Sequence, residues 1–212
     1  MHTRDTAFII GIESDNQLFK KNIRPLFEKI IKEARLSSEN EINIEGITIS
    51  KNHAYLLHRG NVSENIIIKM DRLKFIDYIK TSNTIPDIDI FNFDLPNLDE
   101  VSSGFSGACI TPDSTGIIFT ASMEKTNDEI NDGEILGSYI GIIPFSEMEY
   151  GGYYSSLLMN GGVLMSNKLE GISVVPDKDN NSKRFNLITV CDNDNGTSEI
   201  IKIKMRLNSK GD

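Results

Sequence analysis

Three segments of the chain share one pattern: IEGITI from Ile44, FSGACI from Phe105 and LEGISV from Leu169. In each, an acidic or hydroxyl residue (Glu45, Ser106, Glu170) stands before a glycine (Gly46, Gly107, Gly171) that opens a short apolar strand. A turn follows, then a second apolar strand: YLLHRGN, IIFTASME and LITVCDND. After a polar stretch comes a third: IIIKMD, YIGIIP and IIKIKM. The glycines recur about every 60 residues, near the upper range of propeller-blade periods.

Alternation inside the first strands agrees among the repeats. Ile47/Ile49, Ala108/Ile110 and Ile172/Val174 point to one face, while the small Thr48, Cys109 and Ser173 point to the other. Small residues on an innermost strand let several such strands converge around an axis. The competing arrangement is three unrelated hairpins in a sandwich. The three-way match favours an all-β, propeller-like single domain over residues 1–212, with blade-like repeats starting near 44, 105 and 169. Three blades do not close a ring, and an open array leaves strand edges. A longer N-terminus, a partial blade built on a strand at Ala7–Gly11, or a second copy of the chain would complete it.

One helix is expected, from Asn22 to about Leu36. Ile23, Leu26, Phe27, Ile30, Ile31 and Ala34 form a single stripe at helical spacing, Asn22 can cap it, and Pro25 falls in the first turn. Between the first two repeats, Lys74–Ile79 reads as a further strand and Thr81–Ser103 as a long Pro/Asp/Asn-rich loop with a strand at Ile88–Phe93. Residues Gly151–Leu164 fit no single pattern.

Net charge is −9 with no Lys/Arg-rich block, which argues against nucleic acid and against anionic membrane surfaces. The apolar run Ala7–Ile12 is too short for a signal-peptide core or a membrane span. As written the chain reads as cytoplasmic; a longer natural N-terminus carrying a signal would make it exported. Cys109 and Cys191 sit in apolar surroundings without C-x-x-C spacing, so free buried thiols are expected.

Polar residues collect at matching ends of the repeats. Glu45 and Glu170 precede first strands; His58, Arg59, Asn61, Glu124, Asp192 and Asp194 follow second strands. In a propeller these ends meet near the axis, and clustered carboxylates there suit Ca²⁺ or Mg²⁺. Glu45, Glu170, Asp192 and Asp194 are the metal candidates. Arg59, beside His58 and Asn61, can clamp an anion bidentately. The bland alternatives are a Glu capping backbone N–H groups and an Arg tying down its own loop by bonding carbonyls or a neighbouring acid. CDNDNGTSE lacks EF-hand spacing, and no G-x-S-x-G elbow, P-loop or G-x-G-x-x-G occurs.

The longer signature SGFSGACITPDSTGIIFTASMEKTNDEINDGEILGSYIGII (103–143), with N-I-E-G…H-R-G-N and L-E-G…C-D-N-D, resembles an uncharacterised bacterial family of propeller-like proteins. That family is distantly similar to phytase-like, esterase-like and strictosidine-synthase-like six-bladed propellers. The resemblance implies a cation-ligand role for the E-G residues Glu45 and Glu170, and its N-D-G-E motif adds Asp132 and Glu134 as site candidates. Family members are longer at the front, which this chain is not.

Three functions follow as expectations. The first is a binding or scaffold module with a polar, acidic axial pocket for a cation or a small polar or anionic ligand. The second is a metal-assisted phosphoester or ester hydrolase, with Arg59 steadying an oxyanion. The third is a module whose open edges are completed by another chain, a homo-oligomer among them.

Overall fold

The computed structural model describes residues 5–10, 17–37, 42–60, 64–98, 100–125, 134–176, 183–192 and 196–207. Strands β1 (Thr6–Ile10) and β2 (Leu18–Asn22) form an antiparallel hairpin that leads into α1 (Arg24–Ala34). The first sheet holds β3 (Ile44–Ile49), β4 (His53–His58) and β5 (Asn65–Asp71), then α2 (Arg72–Lys80), then β6 (Asp89–Phe93).

The second sheet runs through β7 (Asn97–Leu98), β8 (Val101–Ile110), β9 (Gly116–Glu124), β10 (Ile135–Pro144) and β11 (Tyr154–Leu157). A small hairpin of β12 (Met159–Asn160) and β13 (Val163–Leu164) precedes the third sheet. That sheet is β14 (Lys168–Val175), β15 (Arg184–Asp192) and β16 (Ser198–Arg206). Within each sheet, strands adjacent in sequence pair antiparallel, so the fold is mainly β and built from successive meanders.

Two expectations are corrected. Lys74–Ile79 is helix, not strand, giving two helices rather than one. Asp71 caps α2 by accepting from the Lys74 N–H at 2.9 Å, and Phe75, Tyr78 and Ile79 then face the core at helical spacing. The short apolar run Phe75, Ile76, Tyr78 and Ile79 is compatible with a strand by composition; the cap and the 75/78/79 spacing decide for a helix. Helix α1 begins later than its apolar stripe: Ile23 occupies the cap position, and the Asn22 side chain accepts from the Arg24 N–H at 2.9 Å. The ambiguous stretch Gly151–Leu164 holds β11 and the β12–β13 hairpin.

Each repeat carries the same irregularity. Pairing slips by one residue between Ile44 and Gly46, between Phe105 and Gly107, and between Leu169 and Gly171. The extra residues are Glu45, Ser106 and Glu170, so each E/S-G pair is a β-bulge that bends its strand. The bent strands β3, β8 and β14 lie side by side, which brings the three sheets together along their first strands. Glycine is required at the closest approach, because a Cβ on Gly107 would lie 2.5 Å from the Glu170 carbonyl oxygen.

Three apolar clusters fill the spaces. Helices α1 and α2 cover the outer face of the first sheet through Leu26, Phe27, Ile30, Phe75, Tyr78 and Ile79. Tyr55, Leu57 and Ile67 of the first sheet meet Phe105, Ile117 and Phe119 of the second. Ile118, Ile140 and Ile142 on the second sheet's other face meet Phe185, Leu187 and Ile203 of the third. The order is therefore helices, first sheet, second sheet, third sheet. Gly107→Ala should lower stability by about 1–3 kcal/mol through overpacking, read from the chemical-denaturation midpoint. Wild-type stability in that variant would show that β8 and β14 do not approach so closely.

Candidate functional site

The ends of the second strands meet the starts of the first strands around one buried carboxylate. Glu124, last residue of β9, places its Oε1 2.9 Å from Arg59 Nη2 and 3.3 Å from Lys168 Nζ. Arg59 follows β4 of the first sheet, and Lys168 opens β14 of the third. One carboxylate of the second sheet thus joins all three. The Arg59 and Glu124 side chains are only 5% and 4% exposed. Oε1 accepts no aligned hydrogen bond, so charge rather than directed bonding holds it.

The cations have further partners. Arg59 Nη1 donates to the Ser122 hydroxyl at 2.9 Å, and Lys168 also lies 3.9 Å from the Glu170 carboxylate. The guanidinium stem crosses directly over Gly104, where a Cβ would fall 2.5 Å from Arg59 Cγ. Buried Asn65 ties the same sheets, its Oδ1 accepting from the Gly60 N–H at 3.1 Å and its Nδ2 donating to the Ser103 carbonyl at 3.0 Å. Between the second and third sheets, the Ser138 hydroxyl donates to the Asn167 carbonyl at 2.7 Å.

His58 lies beneath this network, fully buried. Its Nδ1 lies 3.0 Å from the Asn43 backbone nitrogen and 3.2 Å from the Asn43 carbonyl oxygen, so the Asn43 backbone holds the ring in either tautomer. Burial lowers its pKa to about 4, against a smaller opposing effect of the Asn43 backbone bond. His58 is thus enclosed and held against the backbone of Asn43.

The remaining candidates are scattered. Glu45 lines a separate cleft of about 470 Å³ between β3 and α1, among Ile23, Ile44, Ile47 and Leu56. Glu134 is exposed and bonded to Lys125 at 2.9 Å; that bond holds its carboxyl below the usual range. Asp192 ends β15 opposite Ser198. Asn61, Asp132 and Asp194 lie outside the described residues. Among the described residues, no three His, Cys, Asp or Glu side chains form a group that could hold a metal ion. Burial pushes the Cys109 thiol up to about 12 and raises Cys191 as well, so neither offers a thiolate nucleophile near neutrality.

Lys168, Gly104 and Asn65 escaped sequence reading, although a signal for two of them was present. Asn43, Gly104 and Lys168 each stand immediately before a repeat, and Arg59, Ser122 and Asp192 lie at the matching level of the second strands. The network is therefore assembled from equivalent repeat positions that carry different side chains.

The His58 shift predicts a pH dependence with a definite sign. Because folding depresses its pKa from 6.5 to about 4, the associated stability is present above pH 6.5 and lost as pH falls toward 4. The amount is about 3 kcal/mol. His58→Asn keeps an acceptor for Asn43 without titrating. Urea denaturation of both proteins between pH 7.5 and 5 should show the variant losing less stability; equal losses would mean His58 is not buried neutral.

No curated protein and no solved structure matches the chain. No helix among the described residues is long and apolar enough to cross a membrane. A family model does match, over residues 1–205, so the chain belongs to DUF6929, a family of unknown function.

Proposed function

We propose that the chain is a non-catalytic binding module, a partial propeller of three blade-like sheets whose strand-end charges serve architecture. The observation that carries this reading is Glu124, buried between Arg59 and Lys168. A hydrolytic centre needs a carboxylate or a metal open to substrate and a cation free to meet developing negative charge. Here the best-placed acid and the best-placed anion clamp neutralise each other inside the protein. The repeated bulge and the side-by-side β3, β8 and β14 support the blade reading.

Room for a ligand exists elsewhere. An open groove of about 1110 Å³ runs between the outer parts of the first and second sheets. His53, Tyr55, Phe91 and Phe145 supply ring surfaces, with Lys51 and Lys69 at the margin. Tyr55 and Phe145 stack at 5.4 Å with an interplanar angle of 15°. Aromatic walls with a few polar groups suit a small polar ligand.

Protein purified without chelator should contain no stoichiometric divalent ion, keep its thermal midpoint when calcium is added, and release no phosphate from p-nitrophenyl phosphate. A bound ion or a turnover that Glu170→Gln abolishes would overturn the reading in favour of the metal-assisted hydrolase.

A further inference from the structure

Alternation gives the third sheet two unlike faces. Phe185, Leu187, Ile203 and Met205 pack inward on the second sheet. Their neighbours face away: Arg184, Ile188 and Val190 on β15, and Ile200, Lys202, Lys204 and Arg206 on β16. The corresponding faces of the other two sheets, marked by Thr48 and Cys109, are each covered by the next sheet; in the third sheet the matching Ser173 is exposed. Val190 and Ile200, directly paired, are 46% and 70% exposed.

The charges on this face are arranged against ordinary sheet stability. Arg184 pairs directly with Arg206, and like charges in opposite register repel. Lys204 and Lys202 continue the row toward Ile200. The four cations, Arg184, Lys202, Lys204 and Arg206, form no ion pair among the described residues. On the first sheet the opposite choice is made: half-buried Lys69 of β5 stands across from Asp89 of β6, 3.2 Å away. Among the described residues, an acidic chain has thus gathered cations without ion pairs on an outer sheet face that neither a sheet nor a helix covers, beside an exposed apolar pair.

We propose that this face docks an acidic protein segment bearing alternate apolar side chains. Carboxylates would neutralise Arg184 and Arg206, with the bidentate geometry that guanidinium favours. Valine- or isoleucine-sized groups two or more residues along would cover Val190 and Ile200. A further blade is a poor occupant, because the faces buried between the sheets are apolar where this one is cationic. A second copy bringing the same face would set four cations against four. Nucleic acid and anionic membrane extend past the face and meet the net charge of −9. The proposal names a partner for the binding module and rests on that reading. It has its own readout, since phosphatase and metal assays do not report on this face.

The test is fluorescence anisotropy with a labelled twelve-residue peptide alternating glutamate and valine, against the full chain at low salt. Binding should saturate, weaken as salt rises, and fall at least tenfold in Arg184→Glu/Arg206→Glu. It should weaken in Val190→Ser as well. The single variant Arg206→Glu should have a raised melting temperature, because it replaces a repulsive cross-strand pair by an attractive one. Absence of binding, unchanged binding in the charge-reversed variant, or a lowered melting temperature in Arg206→Glu would overturn the proposal. So would tighter binding to phosphatidylserine vesicles or to single-stranded DNA, or a dimer in light scattering that Arg206→Glu dissociates.

Discussion

The Glu124 carboxylate is the point on which the three-sheet arrangement depends. A sheet packed on a sheet through apolar side chains has area but little to fix its angle or offset. A buried charge removes that freedom, because its desolvation is tolerable only where compensating charge sits at the right place. Arg59 from the first sheet and Lys168 from the third must both arrive at Glu124. The bulges at Glu45, Ser106 and Glu170 bend the first strands so that they do. Gly104 and Gly107 then leave space for the Arg59 stem and for the backbone at Glu170.

Much of this was legible in the chain itself. Period-two alternation and the repeated E/S-G pairs located the three meanders, since a bulge glycine followed by an apolar strand is a local signal. Helix α2 was not legible because its short apolar run, Phe75, Ile76, Tyr78 and Ile79, suits a strand by composition, and the Asp71 cap with the 75/78/79 spacing separates the two. At the site, sequence picked out His58, Arg59, Glu124 and Glu170, with ligand contact and structural pairing both open. Which polar groups face one another is a tertiary property. Nothing local distinguishes an Arg that clamps a substrate from one that pairs with an acid 65 positions away. Lys168 carries no motif and becomes visible only as the repeat equivalent of Asn43 and Gly104.

Charge is divided by location. Inside, at the strand ends, it is paired and structural. On the helices and on the first sheet it is paired and solvated, as in Lys69 with Asp89 and Arg24 with Glu28. On the outer face of the third sheet Arg184 stands directly across from Arg206, and like charges so placed repel.

The most direct test of the central claim is a double-mutant cycle on Arg59→Met and Glu124→Leu, read by urea denaturation at neutral pH. If Glu124 locks the sheets, each single variant should lose about 3–5 kcal/mol, since each leaves a buried charge short of its partner. The double variant should recover a large part of that loss, giving a coupling of about 2 kcal/mol or more. Additive losses, with a coupling below about 0.5 kcal/mol, would show that Arg59 and Glu124 do not hold each other and that the sheets are joined by their apolar faces alone.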